Sequence, residues 1–337
     1  MNSEKALTLA VILIGTLLRT GSLSAAETPR AALLVVIKDE NALAIVDPVA
    51  KKVVGSVPAG DDPHEVEASS DGRFAFVSNF APFRVADKPG RTISIINLES
   101  QKQVRQLDIG PLSMPHGLLF ADGKLYFTAQ GFKLIGRYDP ASGKIDWMLG
   151  TSQLGTHMLV MTKDRNTIFT ANGGSDTISA FERTTGLPPW RETVIAVGKA
   201  PQPIDISPDG REVWTGHGRD GGVSIIDVAS KKVIQTLDLQ TKQSNRLKFT
   251  LDGKWVLITD MGGNALVVVD AANRKEVKRI NIGRSPEGIL IAPDDQGAYV
   301  AVAGDNNVAI LNLRTLEVTE RIATGPNPDG LAWAERR

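Results

Sequence analysis

Pro203-Ile204-Asp205-Ile206-Ser207-Pro208-Asp209-Gly210-Arg211-Glu212-Val213-Trp214 runs a short apolar alternation, an Asp-Gly turn and the start of a second alternation end to end. Period-two alternation places every second side chain on one face of a strand, and Asp-Gly is a tight-turn signal between two such strands. Related turns recur at Ser70-Asp71-Gly72, Ala121-Asp122-Gly123, Lys163-Asp164-Arg165, Leu251-Asp252-Gly253 and Pro293-Asp294-Asp295. Along the chain the six turns are spaced by 51, 42, 45, 43 and 42 residues. A second marker also repeats: an acid or amide, then small residues, then Lys and a β-branched residue. It is clearest in Asp47-Pro48-Val49-Ala50-Lys51-Lys52-Val53, Asp139-Pro140-Ala141-Ser142-Gly143-Lys144-Ile145 and Asp227-Val228-Ala229-Ser230-Lys231-Lys232-Val233. With Asp270 and weaker copies at Asn97, Glu182 and Asn312, this marker occurs seven times.

Phe74–Val77, Ile93–Ile96, Val223–Ile226, Trp255–Ile258 and Leu266–Val269 continue the alternation, and no stretch after residue 26 has a helical period. A unit of about 43 residues with four short strands and fixed turns describes a propeller blade. The predicted fold is therefore all-β: a seven-bladed β-propeller of four-stranded antiparallel blades. The C-terminal segment from Pro328 to Ala334 supplies only an innermost strand. Leu33–Ile37, Ala42–Val46 and Lys52–Val57 supply the other three, which closes the ring and removes two exposed sheet edges.

The quoted unit, with Pro286-Glu287-Gly288-Ile289-Leu290-Ile291-Ala292-Pro293-Asp294 and Val223-Ser224-Ile225-Ile226-Asp227-Val228, resembles the YVTN-type repeat of the YncE-like exported propellers. The resemblance covers essentially the whole chain after residue 26. It implies the architecture and little about activity. Families that share the repeat include surface-layer proteins, the haem d1-binding domain of nitrite reductase, and lactonase- or lyase-type propellers. No functional motif of theirs is matched closely enough to carry a residue across, and fold does not imply function.

The residue that opens each blade's first strand is, in order, His64, His116, His157, Gln202, Asn245, Glu287 and Asp329. The turn seven residues later fixes this register in most blades. Pro115-His116-Gly117 and Pro328-Asp329-Gly330 fix it in the others. All seven residues are polar, and three of the chain's four histidines fall at this one repeat position. In circular order Glu287, Asp329, His64, His116 and His157 belong to five consecutive blades. That predicts imidazoles and carboxylates along one arc of the channel mouth, on the face called the top.

Such an arc permits definite chemistry. His64, His116 and His157 are candidate ligands for one divalent transition metal, with Zn, Cu, Fe and Mn all compatible. Without metal, the same groups form a polar pocket with acids and bases that titrate near neutrality. His217, in Gly216-His217-Gly218, and the cations Arg84 and Arg246 are further candidate ligand-binding residues. Arg84 lies in an insertion over residues 80–90. The expected function is binding of a small molecule or metal centre at the top of the channel. The alternatives are a hydrolase, lactonase or lyase at the same mouth, and a scaffold that docks a protein on its top face. Ser, His and Asp can be picked out on that face, but no Gly-x-Ser-x-Gly elbow is present.

Composition bounds the rest. Of 337 residues, 42% are hydrophobic, and Lys plus Arg balance Asp plus Glu at 38 each. A net charge of zero argues against nucleic-acid binding by phosphate neutralisation. Cysteine is absent, which excludes disulfides, thiolate metal sites and thiol nucleophiles. Lys5, the apolar run from Ala6 to Leu18, and Ser24-Ala25-Ala26 follow the order of a secretory signal. The expected organisation is a signal peptide over 1–26 and one propeller domain over 27–337, periplasmic or secreted, monomeric, and free of the membrane after cleavage.

Overall fold

The computed structural model describes residues 27–80 and 89–336. The signal-peptide reading and Arg84 fall outside the described residues. The architecture is a seven-bladed propeller of seven four-stranded antiparallel sheets. Six blades are continuous in sequence, spanning 63–108, 115–150, 156–196, 201–238, 244–281 and 286–323. The seventh orders the strands Pro328–Glu335, Ala31–Ile37, Ala42–Asp47 and Lys52–Pro58 from the inside outward. The ring is thus closed by pairing the two ends of the chain, with Leu33 opposite Trp333 and Leu34 opposite Ala332. The first strands contact one another around the full circle and line the channel.

The core is divided between blades. Seven clusters of buried aliphatic and aromatic side chains each occupy one interface between neighbouring blades. A four-stranded sheet has two apolar faces to cover and no partner of its own, so burial is achieved only by the complete ring. Second strands such as Trp255–Asp260 and Gly297–Val302 are buried along almost their whole length. Fourth strands such as Lys102–Asp108 are exposed at nearly every position. Their Lys, Arg and Gln side chains blunt the outer edges against pairing with another sheet. The helical content among the described residues is three single 3₁₀ turns, Lys38–Glu40, Gln130–Phe132 and Ala303–Asp305. Each follows a second strand directly, on the top face.

Candidate functional site at the channel mouth

Every blade opens its first strand in the same way. The ring residue is the second residue of that strand, and pairing with the second strand slips by one residue just after it. Such a bulge takes a side chain out of the alternation of its strand. All seven ring residues line one cavity of about 250 Å³, together with Lys38, Asp62, Arg246 and Met261. The structure thus brings His64, His116, His157, Glu287, Asp329 and Arg246 to a single place.

The residue after the ring position controls how closely neighbouring blades approach. A Cβ on Gly330 would lie 2.4 Å from the His64 carbonyl oxygen, and one on Gly288 would lie 2.3 Å from that of Asp329. Glycine is needed there for the main chains to meet, which draws the acid and histidine positions into a tight arc. The same position holds Glu65 after His64, and Met158, Pro203 and Arg246 on the opposite side.

Buried hydroxyls hold the arc in register. Thr128 Oγ1 accepts from the Gly117 N–H at 2.9 Å and donates to the His157 carbonyl at 2.7 Å. Ser78 Oγ does the same between the Glu65 N–H and the His116 carbonyl, at 3.2 and 2.9 Å. Thr259 links the Arg246 N–H to the Glu287 carbonyl, at 2.9 Å each. Thr128→Val leaves a donor and an acceptor unpaired on adjoining blades. Its expected cost is about 1–3 kcal/mol in denaturant unfolding.

The three imidazoles stand in a row. The His116 ring is 5.2 Å from that of His64 and 3.8 Å from that of His157, centroid to centroid. Phe80 covers the first two, at 4.8 Å from His64 and 5.3 Å from His116. His64 Nδ1–H donates to the Asp62 carbonyl at 3.0 Å, leaving Nε2 to accept from Lys38 Nζ at 3.2 Å. His157 Nδ1–H donates to Gln130 Oε1 at 2.9 Å. His116 is 3% exposed, and its Nδ1 has no hydrogen-bond partner. Burial is the main cause that depresses all three histidines, to about 3 for His157 and well below the usual value for His116. All three are neutral near pH 7.

The acids diverge. Burial, reinforced by the Asp329 charge, pushes Glu287 up to about 8. Burial also works to raise Asp329, but Lys38 and Arg246 outweigh it and hold that carboxyl below its usual range. Asp329 is 1% exposed; its Oδ2 makes no hydrogen bond, with Lys38 Nζ 3.5 Å away. Beneath the ring, the Arg246 guanidinium crosses the channel to pair with Glu65, three blades away, and reaches Asp329 Oδ1 at 3.5 Å. Arg246 is the member of this pair that lines the cavity. Burial raises Glu65 to about 7 against the pull of Arg246. Near pH 7 the mouth therefore holds an ammonium, a guanidinium, an ionised and a protonated carboxyl, and three neutral imidazoles. Such a set can bind an oxygen-rich guest and both give and take a proton.

Not every sequence candidate lies here. His217 is the last residue of the second strand Glu212–His217, outside the channel cavity. Its Nδ1–H donates to Asp220 at 2.6 Å, and its Nε2 accepts from the Gly198 N–H at 3.3 Å and from Ser224 Oγ at 2.9 Å. Ser224 is 1% exposed, so the trio offers no open nucleophile. Asn79 and Asp260 hold the same position in their blades and likewise accept main-chain N–H groups from the preceding crossing. Sequence reasoning missed Lys38, Gln130 and Phe80. All three directly follow a second strand, a repeat position open to the same indexing as the ring. It also missed Glu65 as the partner of Arg246. Among the described residues, no group of three or more His, Asp or Glu is gathered to hold a metal ion as it stands.

Comparison with known proteins agrees with the architecture. Over 144 residues the chain is 27% identical to protein NirF of Pseudomonas aeruginosa, a match covering 39% of this chain and 36% of that protein's length. Among solved structures, the periplasmic gluconolactonase PpgL of Pseudomonas aeruginosa superposes with a TM-score of 0.73 at 17% identity. That match covers 91% of this chain and 99% of the other. Hydrazine synthase of Kuenenia stuttgartiensis gives a TM-score of 0.72 at 18% identity, covering 83% and 91%. The model of the YNCE-like beta-propeller family matches residues 119–296, more than half of the sequence. With seven closed blades behind that match, the chain belongs to the YNCE-like β-propeller family.

Proposed function

We propose that this propeller binds a small hydroxy acid or its lactone at the top of its channel. One observation carries the reading. His116 Nδ1 is buried, lines the cavity and makes no hydrogen bond, while Asp329 Oδ2 in the same cavity faces the Lys38 ammonium at 3.5 Å. A buried polar group left unpaired costs about 1–3 kcal/mol, which a guest's hydroxyl or carboxyl group relieves. Lys38, which lines the cavity beside His64, supplies a positive charge for an acid. The test is calorimetric titration with a panel of small hydroxy acids and lactones. His116→Ala is expected to weaken binding about tenfold, equivalent to about 1.4 kcal/mol, while circular dichroism stays unchanged. Equal affinity in variant and wild type rejects the site and leaves a protein-docking scaffold.

Turnover is a second reading, favoured by Glu287. A carboxyl that keeps its proton to about 8 beside an ionised Asp329 is a general acid next to a base. The lactones of the same panel test it, since hydrolysis releases acid. A divalent ion is the other guest we propose for His64, His116 and His157, because neutral imidazoles are the ligating form. Lys38 would have to leave His64 Nε2 first, and metal titration with elemental analysis tests this. We also propose export, on the order of residues 1–26 and on the location named for PpgL. The N-terminal residue of the purified protein tests that.

A further inference from the structure

A second tier of residues overhangs the ring, and it has a gap. The residue after each second strand donates its N–H to the carbonyl two positions before a ring residue, at 2.9–3.1 Å in all seven blades. In blade order from the seventh, this tier reads Lys38, Phe80, Gln130, Gly173, Gly218, Met261 and Ala303. Lys38, Phe80 and Gln130 touch the histidines, and Met261 Sδ lies 3.5 Å from Asn245 Nδ2. Gly173 and Gly218 flank Gln202 and put no side chain above it. Above them lies a second cavity of about 310 Å³ that shares His157 and Gln202 with the first.

Small-ligand sites commonly occupy about 300–1,000 Å³. The histidine cavity alone falls short of this range, and the two joined fall within it. The annex has its own chemistry: Gln130, Gln202 and Gln243 offer amides, and Arg219 stands at its edge, exposed. Arg219 makes no hydrogen bond or ion pair with the described residues. Arg219 favours an anion at the annex end. At the other end Arg246 is taken up by Glu65 and Asp329, and Lys38, 3.5 Å from Asp329 and beside the neutral imidazoles, is the cation placed to meet a second carboxyl, while the middle favours hydroxyls.

We infer that the ligand is an elongated, hydroxylated diacid. One end lies against Lys38 and the histidines, and the other passes through the glycine gap to Arg219. This rests on the binding reading above and adds the annex to it. Glycolate, which fits the histidine cavity alone, and galactarate, a hydroxylated six-carbon dicarboxylate, are the probes. Galactarate is expected to bind at least tenfold tighter than glycolate. Gly218→Met copies the overhang of Met261. A Cβ there meets the Ala200 carbonyl oxygen at 3.0 Å, so that backbone has to give by a few tenths of an ångström. Gly218→Met and Arg219→Ala are each expected to remove the galactarate advantage and leave glycolate binding unchanged. Equal affinities for the two probes in wild type, or equal losses for both in the variants, overturn the annex and leave the histidine cavity standing. Failure of wild type to bind either probe at millimolar concentration overturns both readings.

Discussion

Arg246→Met is expected to cost about 3–5 kcal/mol of folding stability, read from denaturant unfolding at pH 7.5. Arg246 is 6% exposed, and Glu65, its partner across the channel, is 8% exposed. Methionine fills much of the space and removes the charge, so the cost is that of buried carboxylates without a counter-ion. Glu65 is already raised to about 7 by burial, with Arg246 as its largest opposing influence. Without Arg246 its pKa rises further. A group whose folded pKa exceeds its unfolded value adds stability at low pH and loses it as pH rises through the folded value. The deficit of Arg246→Met is therefore expected to shrink as pH falls from 7.5 to 5. Adding Glu65→Met is expected to recover at least half of the loss at pH 7.5, because pair and charge then leave together. A loss under about 1 kcal/mol would mean that the Arg246–Glu65 pair is reached by water and behaves as a surface ion pair.

The fold was legible because its signals are repeated. One Asp-Gly turn is weak, but six at near-constant spacing index every residue to a blade position. The seven ring residues followed from that index, and Pro115-His116-Gly117 and Pro328-Asp329-Gly330 marked it where the turns drifted. The glycine in those triplets, used only as a landmark, is what lets the arc close up. His217 shows where indexing by loop fails. Its place between Gly216 and Gly218 makes it a candidate ligand-binding residue, whereas its main chain ends a strand and its side chain accepts from the Gly198 N–H in the wall. Lys38 was open to indexing as the residue after Leu33–Ile37, but the signal that would have drawn attention to it was missing. Its blade is assembled from both chain ends, so no Asp-Gly turn precedes it within its own strand pair. The pairing of Arg246 with Glu65 spans 181 residues and two different blades. Local sequence contains neither the bulge that aims each side chain nor the width of the channel between them.

His157→Gln and Glu287→Gln are expected to bend the pH–stability profile in opposite directions. His157 is held down to about 3, chiefly by burial and then by Arg246. In the unfolded chain it takes a proton near pH 6.5. Between those values the unfolded state binds more protons, so the wild type loses stability as pH falls. The glutamine variant has no such term, and its stability relative to wild type is expected to improve by about 3 kcal/mol from pH 6.5 to 4. Glu287 works the other way. Its folded value of about 8 lies above the ordinary carboxylate range, so the folded state binds more protons between about pH 4.3 and 8. The wild type therefore loses stability as pH rises through that interval, and Glu287→Gln is spared. Its relative gain from pH 5 to 8 is expected to be about 3 kcal/mol. Unfolding curves taken at closely spaced pH values separate the two terms, because the His157 term acts alone below about pH 4.3 and the Glu287 term alone above about pH 6.5. Curves that stay parallel to wild type at every pH would mean that both groups titrate as they do in water. The mouth would then be a wetted surface that holds no proton for a guest.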